Sequence, residues 1–151
     1  MELTTATIRH YLVHVFTGIE KVLARMDDET VNRRPAGWGT NSVAGLVVHC
    51  CELAPSWFAT PGLGRESVRD RESEFTTEAT VDELRRRVAE SMARCHALAA
   101  DFVAGPTAQD HEYRAFLPGG DRSDAALVLH VFEELFQHLG HMEVTADALG
   151  R

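Results

Sequence analysis

Residues 129–142 read Leu-His-Val-Phe-Glu-Glu-Leu-Phe-Gln-His-Leu-Gly-His-Met. Within this stretch Val131, Leu135 and Met142 recur with the period of an α-helix, about 3.6 residues per turn. The same apolar stripe continues to Leu149. The stretch therefore predicts a long amphipathic helix, from about Ser123 to Leu149, with one face turned toward a core.

Three further segments carry a helical period, and no segment alternates convincingly as a β-strand. Capping or breaking residues bound them: about Thr5 to Met26, Asn41 or Ser42 to Pro55, and the capping box at Thr80 to the stop at Gly105-Pro106. The polar stretches Thr60–Thr77 and Gly105–Arg122 are predicted to be loops. Four amphipathic helices in 151 residues predict an all-α four-helix bundle, as a single domain over residues 1–151.

Charge and composition narrow the classes of partner. The formal net charge is -8, and the basic residues are scattered, which argues against a nucleic-acid-binding face and an anionic membrane surface. We see no signal peptide and no apolar run near the roughly 20 residues that a membrane span needs. The cysteines are odd in number, and Cys50 and Cys51 are adjacent. We therefore expect a reduced, cytoplasmic setting.

The last predicted helix carries two polar side chains on its core-facing side. With Val131 at zero and about 100° per residue, His138 falls near -20° and Glu134 near -60°, whereas Glu133 points away. A carboxylate that faces a core is costly unless it is paired or bound to a metal. Residues four apart lie on one helix face, so both side chains could reach one ion.

The second predicted helix offers a third ligand. His49 lies about 60° from Leu46, on the shoulder of that helix's apolar stripe. Two imidazoles and one carboxylate, with a position left open, are the ligand count of a catalytic zinc site. The sequence thus predicts one divalent metal ion bound by His49, Glu134 and His138. Zn²⁺ is the first choice, while Ni²⁺ or Fe²⁺ fits the same donors.

Simpler interpretations stand beside this one. His138 could be a hydrogen-bonded core histidine, and Glu134 could pair with an arginine from another helix. His130 and His141 flank the predicted site and could hydrogen-bond the ligands, act on substrate or simply be exposed.

Three other histidines and Cys50 have simpler explanations than metal binding, and Cys51 and Cys95 give no clear indication. His10 and His14 are also four apart, but both lie opposite their helix's apolar stripe, which favours a solvated face. His111 lies in a loop with no spaced partner. Cys50 lies in an apolar stripe, which favours packing over metal binding.

Two motifs resemble the DinB-like superfamily of metal-binding bundles. Asn41–His49 (NSVAGLVVH), followed by Glu52 and Trp57, is similar to the second helix of that superfamily. Glu133–His141 (EELFQHLGH) is similar to its last helix, which ends in H-x-G-H or H-x-G-Q. The order of elements also agrees, so the likeness covers nearly the whole chain.

One position departs from the commonest pattern of the superfamily. Many members use three histidines, the last two four apart, whereas this chain has Glu at position 134. A His, Glu, His set resembles the branch that includes mycothiol-dependent maleylpyruvate isomerase. The resemblance implies that His49, Glu134 and His138 are metal ligands. It also implies a low-molecular-weight thiol co-substrate (mycothiol or bacillithiol), a small-molecule substrate and a homodimer.

Three functions fit these residues. The first is a metal-dependent S-transferase or isomerase, in which the ion binds the cofactor thiol, lowers its pKa and delivers it as thiolate to an electrophile. The second is a metal-dependent hydrolase with His141 or His130 as general base. The third is a non-enzymatic metal- or ligand-binding stress protein. The two loops would set the substrate, with Phe75, Tyr113 and Phe116 either at the pocket mouth or capping the bundle end.

Overall fold

The computed structural model describes residues 3–37 and 39–151. Each long helix begins at a serine or threonine whose side chain accepts a hydrogen bond from a backbone N–H in the first turn: Thr4, Ser42, Thr80 and Ser123. The α-helices of the described residues are α1 (Thr5–Leu23), α2 (Val43–Trp57), α3 (Arg71–Glu74), α4 (Val81–Ala104) and α5 (Asp124–Ala148). Short 3₁₀ turns lie at Thr30–Asn32, Glu112–Phe116 and Pro118–Gly120, and a π-helical turn lies at Phe58–Gly62.

The four long helices form the bundle that the sequence predicts. α1 and α2 each pack against both α4 and α5, so α1 lies diagonally across the core from α2. The connections from α1 to α2 and from α4 to α5 therefore cross the bundle, which explains their length. The core draws on all four long helices and includes Leu12, Leu46, Leu84 and Leu135, each fully buried. The all-α bundle is confirmed, and α3 is a short addition to it.

Pro55 does not end α2, so the predicted boundary at this residue is wrong. The helix runs on to Trp57 and continues as the π-helical turn to Gly62. A proline has no N–H, so it leaves the carbonyl of Cys51, four residues earlier, without its helical partner. The hydroxyl of Ser91 on α4 donates to that carbonyl at 2.8 Å. A neighbouring helix thus compensates for the lost hydrogen bond.

The other predicted boundaries are close to those observed, except in the first loop. α1 ends at Leu23 rather than Met26, and the capping box at Thr80 is present. The predicted loop Thr60–Thr77 is partly wrong, because it begins inside the π-helical turn and contains α3. The side chain of Asp70 caps α3 by accepting a hydrogen bond from the Ser73 N–H. This local cap allows a short helix within a polar stretch.

The run from Val43 to Gly62 is longer than the apolar stretches apparent in the sequence. By length and composition it could cross a membrane, but 78% of its most apolar window is buried inside the bundle. This burial is typical of a core helix in a globular protein.

Candidate metal centre

The inner face of α5 presents Glu134 and His138 side by side. His138 Nε2 lies 3.6 Å from Glu134 Oε2, and the two side chains are 21% and 29% exposed. Within residues 3–37 and 39–151, Glu134 forms no ion pair with an arginine. Its separation from His138 is also longer than a hydrogen bond. The arginine partner considered for Glu134 is therefore not observed among the described residues, and His138 is the ionisable side chain that it contacts.

His49 reaches the same point from α2, which packs directly against α5. Its side chain is 2% exposed. The rings of His49 and His138 meet edge to face with centroids 4.5 Å apart. Ligand atoms of His49, Glu134 and His138 all lie within 4.8 Å of one another. The structure thus brings together the three side chains that the sequence singles out.

This donor set fits a divalent metal ion. Two ligand atoms that each lie about 2.1 Å from one zinc ion are at most about 4.2 Å apart, so small side-chain adjustments would close the observed spacing. Two imidazoles and a carboxylate are donors that zinc accepts, with room for a further ligand. Because Glu134 and His138 are only half-buried, such a ligand could approach from outside the bundle.

The surroundings keep the imidazoles available for metal binding. Burial lowers the pKa of His49, against the opposing effect of its hydrogen bond to Glu74. Burial also lowers the pKa of His138, and the neighbouring carboxylate of Glu134 opposes that shift. A lowered pKa favours the neutral imidazole at neutral pH, which is the form that binds a metal.

The structure adds two residues that sequence reasoning missed. His49 Nδ1 lies 2.8 Å from Glu74 Oε2, and the Glu74 side chain is 3% exposed. Arg69 donates to both oxygens of Glu74, from Nε at 2.6 Å and from Nη2 at 2.9 Å. Nothing in the local pattern marks either residue, because both lie in a polar stretch among many other charges. Only the tertiary fold brings them under α2.

Phe75 does not lie at the mouth of a pocket. Its ring stacks on the ring of His49 with centroids 4.6 Å apart. It therefore covers one face of the proposed ligand, next to Glu74 in sequence. The sequence left open whether Phe75 lies at a pocket mouth or caps the bundle end, and in the structure its ring contacts His49.

A cavity of about 730 Å³ opens beside this cluster. Its volume is within the range of small-molecule sites, roughly 300–1,000 Å³. None of His49, Glu134 and His138 lines it, but Arg69 belongs to its wall and bonds Glu74, the hydrogen-bond partner of His49. The wall includes Trp57, Thr60, Pro61, Arg69, Tyr113 and Phe116. The prediction that Tyr113 and Phe116 line a pocket therefore agrees with the structure.

A buried arginine holds the aromatic wall in place. Arg114 is fully buried and lies in the 3₁₀ turn that also contains Tyr113 and Phe116. Its Nε donates to the carbonyl of Pro61 at 2.6 Å, and its Nη1 donates to Asp124 at 2.8 Å. The second loop is thus fastened to the π-helical turn and to the start of α5. No local sequence pattern indicates this role for Arg114.

His130 and His141 take different positions around the cluster. The His130 ring lies against Trp57 with centroids 4.6 Å apart, one turn of α5 before Glu134. Among the described residues, its buried Nδ1 has no hydrogen-bond partner. His141 is exposed on the next turn of α5 after His138. His130 therefore contacts a residue of the cavity wall, whereas His141 is exposed to solvent.

The remaining histidines lie apart from the cluster. His10 and His14 are exposed on α1, as the sequence predicts. His111 caps a 3₁₀ turn by accepting a hydrogen bond from the Tyr113 N–H.

The cysteines are buried and free of disulfides. Burial raises the pKa of the Cys50 thiol well above its usual range, and it raises the pKa of Cys95 to about 12. The Cys51 thiol is also buried, with its pKa raised by burial. Buried neutral thiols pack as small apolar groups, which agrees with the packing role predicted for Cys50.

Comparison with known proteins places this arrangement in a family. The chain matches the mycothiol-S-transferase family over residues 7–149, which is nearly its whole length. No curated protein and no solved structure matches the chain significantly. The fold and the family match confirm the resemblance to the DinB-like superfamily. The chain belongs to the mycothiol-S-transferase family, a DinB-like family.

Proposed function

We propose that this chain is a metal-dependent S-transferase that uses mycothiol as its thiol. His49, Glu134 and His138 would bind one divalent ion, with Zn²⁺ as the first choice. The single observation that carries the proposal is the convergence of these three side chains from α2 and α5, with ligand atoms within 4.8 Å. The family match supports a thiol-transfer reaction on a small-molecule substrate.

A bound divalent ion would supply Lewis acidity that lowers the pKa of the cofactor thiol and holds its sulfur as thiolate. The residues of the chain do the rest. His49 and His138 offer neutral nitrogens, and Glu134 offers one negative charge, so the donor set would neutralise only part of the charge of a divalent ion.

The cysteine thiols of this chain are poor candidates for the attacking nucleophile. Cys50, Cys51 and Cys95 are buried, and burial raises the pKa of each thiol. A buried neutral thiol is a poor nucleophile. The attacking sulfur should therefore come from a cofactor thiol. It would form a bond to an electrophilic carbon while the leaving group departs with its electron pair.

The cavity beside the cluster is the proposed site of the electrophile. Trp57, Tyr113 and Phe116 contribute aromatic side chains to its wall, which suits contact with an apolar part of an acceptor. We propose that His130, which lies against Trp57, acts on the substrate or takes up the thiol proton. His141 could act in the same way only from the solvent edge of the site.

The same proposal includes a cellular location, an oligomeric state and the identity of the thiol. Three buried free cysteines support a reducing, cytoplasmic location. A homodimer is proposed from the resemblance to DinB-like proteins alone. Mycothiol is preferred to bacillithiol because the family match names it.

The test mixes the metal-loaded protein with mycothiol and monochlorobimane and follows the fluorescence of the thioether. We expect acceleration over the metal-free protein. We expect no acceleration by Glu134→Gln and full acceleration by Glu143→Gln, which changes an exposed carboxylate of the same helix. No acceleration by the native protein, with mycothiol or with bacillithiol, would remove the transferase proposal.

Hydrolysis is the alternative for the same residues. It would use a water molecule in place of the thiol and His130 or His141 as general base. Turnover of an ester or amide panel without any added thiol would favour it. Tight metal binding without turnover of either kind would instead favour a non-enzymatic binding protein.

A further inference from the structure

His49 is held from behind by a buried carboxylate. Its Nδ1 lies 2.8 Å from Glu74 Oε2, and both side chains are almost completely buried. A carboxylate that is ionised can only accept hydrogen bonds. His49 must then donate through Nδ1–H, which leaves Nε2 as its unprotonated nitrogen. Glu74 therefore selects the tautomer in which Nε2 carries the lone pair.

Arg69 makes an ionised Glu74 tolerable in this buried position. Its guanidinium donates to both carboxylate oxygens, the two-point geometry that gives strong and directional pairing. Arg69 Nη2 also lies 3.2 Å from His49 Nδ1. Because both groups carry hydrogen in this arrangement, that approach is a contact around a shared acceptor, Glu74 Oε2. The three side chains form one connected chain from the partly exposed Arg69 to the buried Glu74 and His49.

The backbone is shaped to bring this carboxylate under α2. A Cβ added to Gly45, one turn before His49, would lie 3.2 Å from the backbone of Phe75. The absence of a side chain at Gly45 thus allows the end of α3 to press closely against α2. Arg34 Nη2 donates to the carbonyl of Phe75 at 2.8 Å and holds the segment there. Glu74, the residue before Phe75, is placed beside His49 as a result.

We propose that Glu74 is a positioning residue for His49, and that Arg69 holds Glu74 in its acceptor role. This inference rests on the metal site proposed above. A carboxylate behind a metal-binding imidazole fixes the ring orientation and makes the other nitrogen a better donor. Arg69 also lines the cavity. Its side chain therefore connects the cavity wall to Glu74, the hydrogen-bond partner of the proposed ligand His49.

The first measurement uses the metal-free protein and needs no activity. Long-range ¹H–¹⁵N NMR correlations report which ring nitrogen of a histidine carries the proton. We expect His49 to be protonated at Nδ1 in the native protein. In Glu74→Ala we expect a larger fraction of His49 to carry the proton on Nε2. The same tautomer in the native protein and in Glu74→Ala would overturn the proposal.

The second measurement is zinc affinity by competition with a chromogenic chelator. Glu74→Gln is nearly isosteric, so it tests the charge with the least risk to folding, and Glu74→Ala removes the acceptor altogether. Loss of such a partner typically costs about 10- to 100-fold in metal affinity. We expect weakening in that range with the stoichiometry unchanged, because all three proposed ligands remain. Glu72→Ala, on the exposed side of the same short helix, is the matched control and should bind as the native protein does.

The outcomes separate this proposal from the proposed function. Native-like zinc affinity in both Glu74 variants, or equal weakening in Glu72→Ala, would overturn the positioning role while leaving the metal site intact. The expected tautomer shift and weakened zinc binding, in a protein that transfers no thiol, would support the positioning role and remove the transferase proposal.

Discussion

Two helices of this bundle each carry a pair of potential metal-ligating residues four positions apart. One pair is exposed to solvent, and the other belongs to the candidate metal site. On α1, His10 and His14 are both exposed. On α5, Glu134 and His138 are half-buried on the face that meets α2, where His49 completes a cluster. The spacing is the same in both cases. The difference lies in which face of the helix carries the pair and in what the neighbouring helix presents to it.

The spacing of two potential ligands therefore indicates a metal site only when the helix face that carries them is also known. A pair of residues four apart can always reach one ion. The surroundings decide whether the pair is also desolvated, oriented and met by a third donor. On α5 all three conditions hold, and Glu74 adds a partner behind His49. On α1 the pair is exposed, and none of these conditions is apparent.

The largest expected effect tests the contrast between inner and outer helix faces. Leu135 lies between Glu134 and His138 and is fully buried, whereas Leu129 on the same helix is 69% exposed. Removing a buried leucine side chain costs about 2–5 kcal/mol, while a surface change stays within about 0.5 kcal/mol. We therefore expect Leu135→Ala to lower the free energy of unfolding by that larger amount and Leu129→Ala to leave it nearly unchanged. Urea denaturation of the metal-free proteins measures both, and equal losses would contradict the assigned direction of α5.

A smaller expected effect is the pH dependence of the free energy of unfolding, which reports on the buried histidines of the candidate site. Burial lowers the pKa of His49 and His138 below 6.5, the ordinary pKa of a histidine side chain. Below that pH the unfolded chain binds more protons at these positions than the folded chain does. The free energy of unfolding of the metal-free protein should therefore fall as the pH drops from about 7.5 to about 5.5, and the contribution of the two histidines is fully present above pH 6.5.

The check is the same urea titration on His138→Gln, which removes one of the two groups. Its unfolding free energy should fall less steeply over the same pH interval than that of the native protein. An identical slope would show that His138 does not contribute to the pH dependence.

The sequence was sufficient for features that repeat locally. The apolar stripes predicted the four long helices and identified the face of α5 that carries Glu134 and His138. His49 could be added because its helix has a stripe of its own. Each of these inferences depends on the period of one helix.

The features that the sequence did not reveal depend on contacts between distant segments. Pro55 is tolerated because Ser91 of another helix satisfies the freed carbonyl. Glu74 reaches His49 because Gly45 admits the backbone of Phe75. Arg114 is charged yet fully buried because several carbonyls and Asp124 surround it. No periodicity marks such residues, since their partners are set by the tertiary fold.

Elemental analysis of the purified protein is the most direct test of a metal site formed by His49, Glu134 and His138. We expect one divalent ion per chain in the native protein and in His14→Ala, which removes an exposed histidine of the α1 pair. We expect no bound ion in His138→Ala, which removes a proposed ligand from the α5 pair. Equal metal content in the native protein and His138→Ala would contradict the three-residue site.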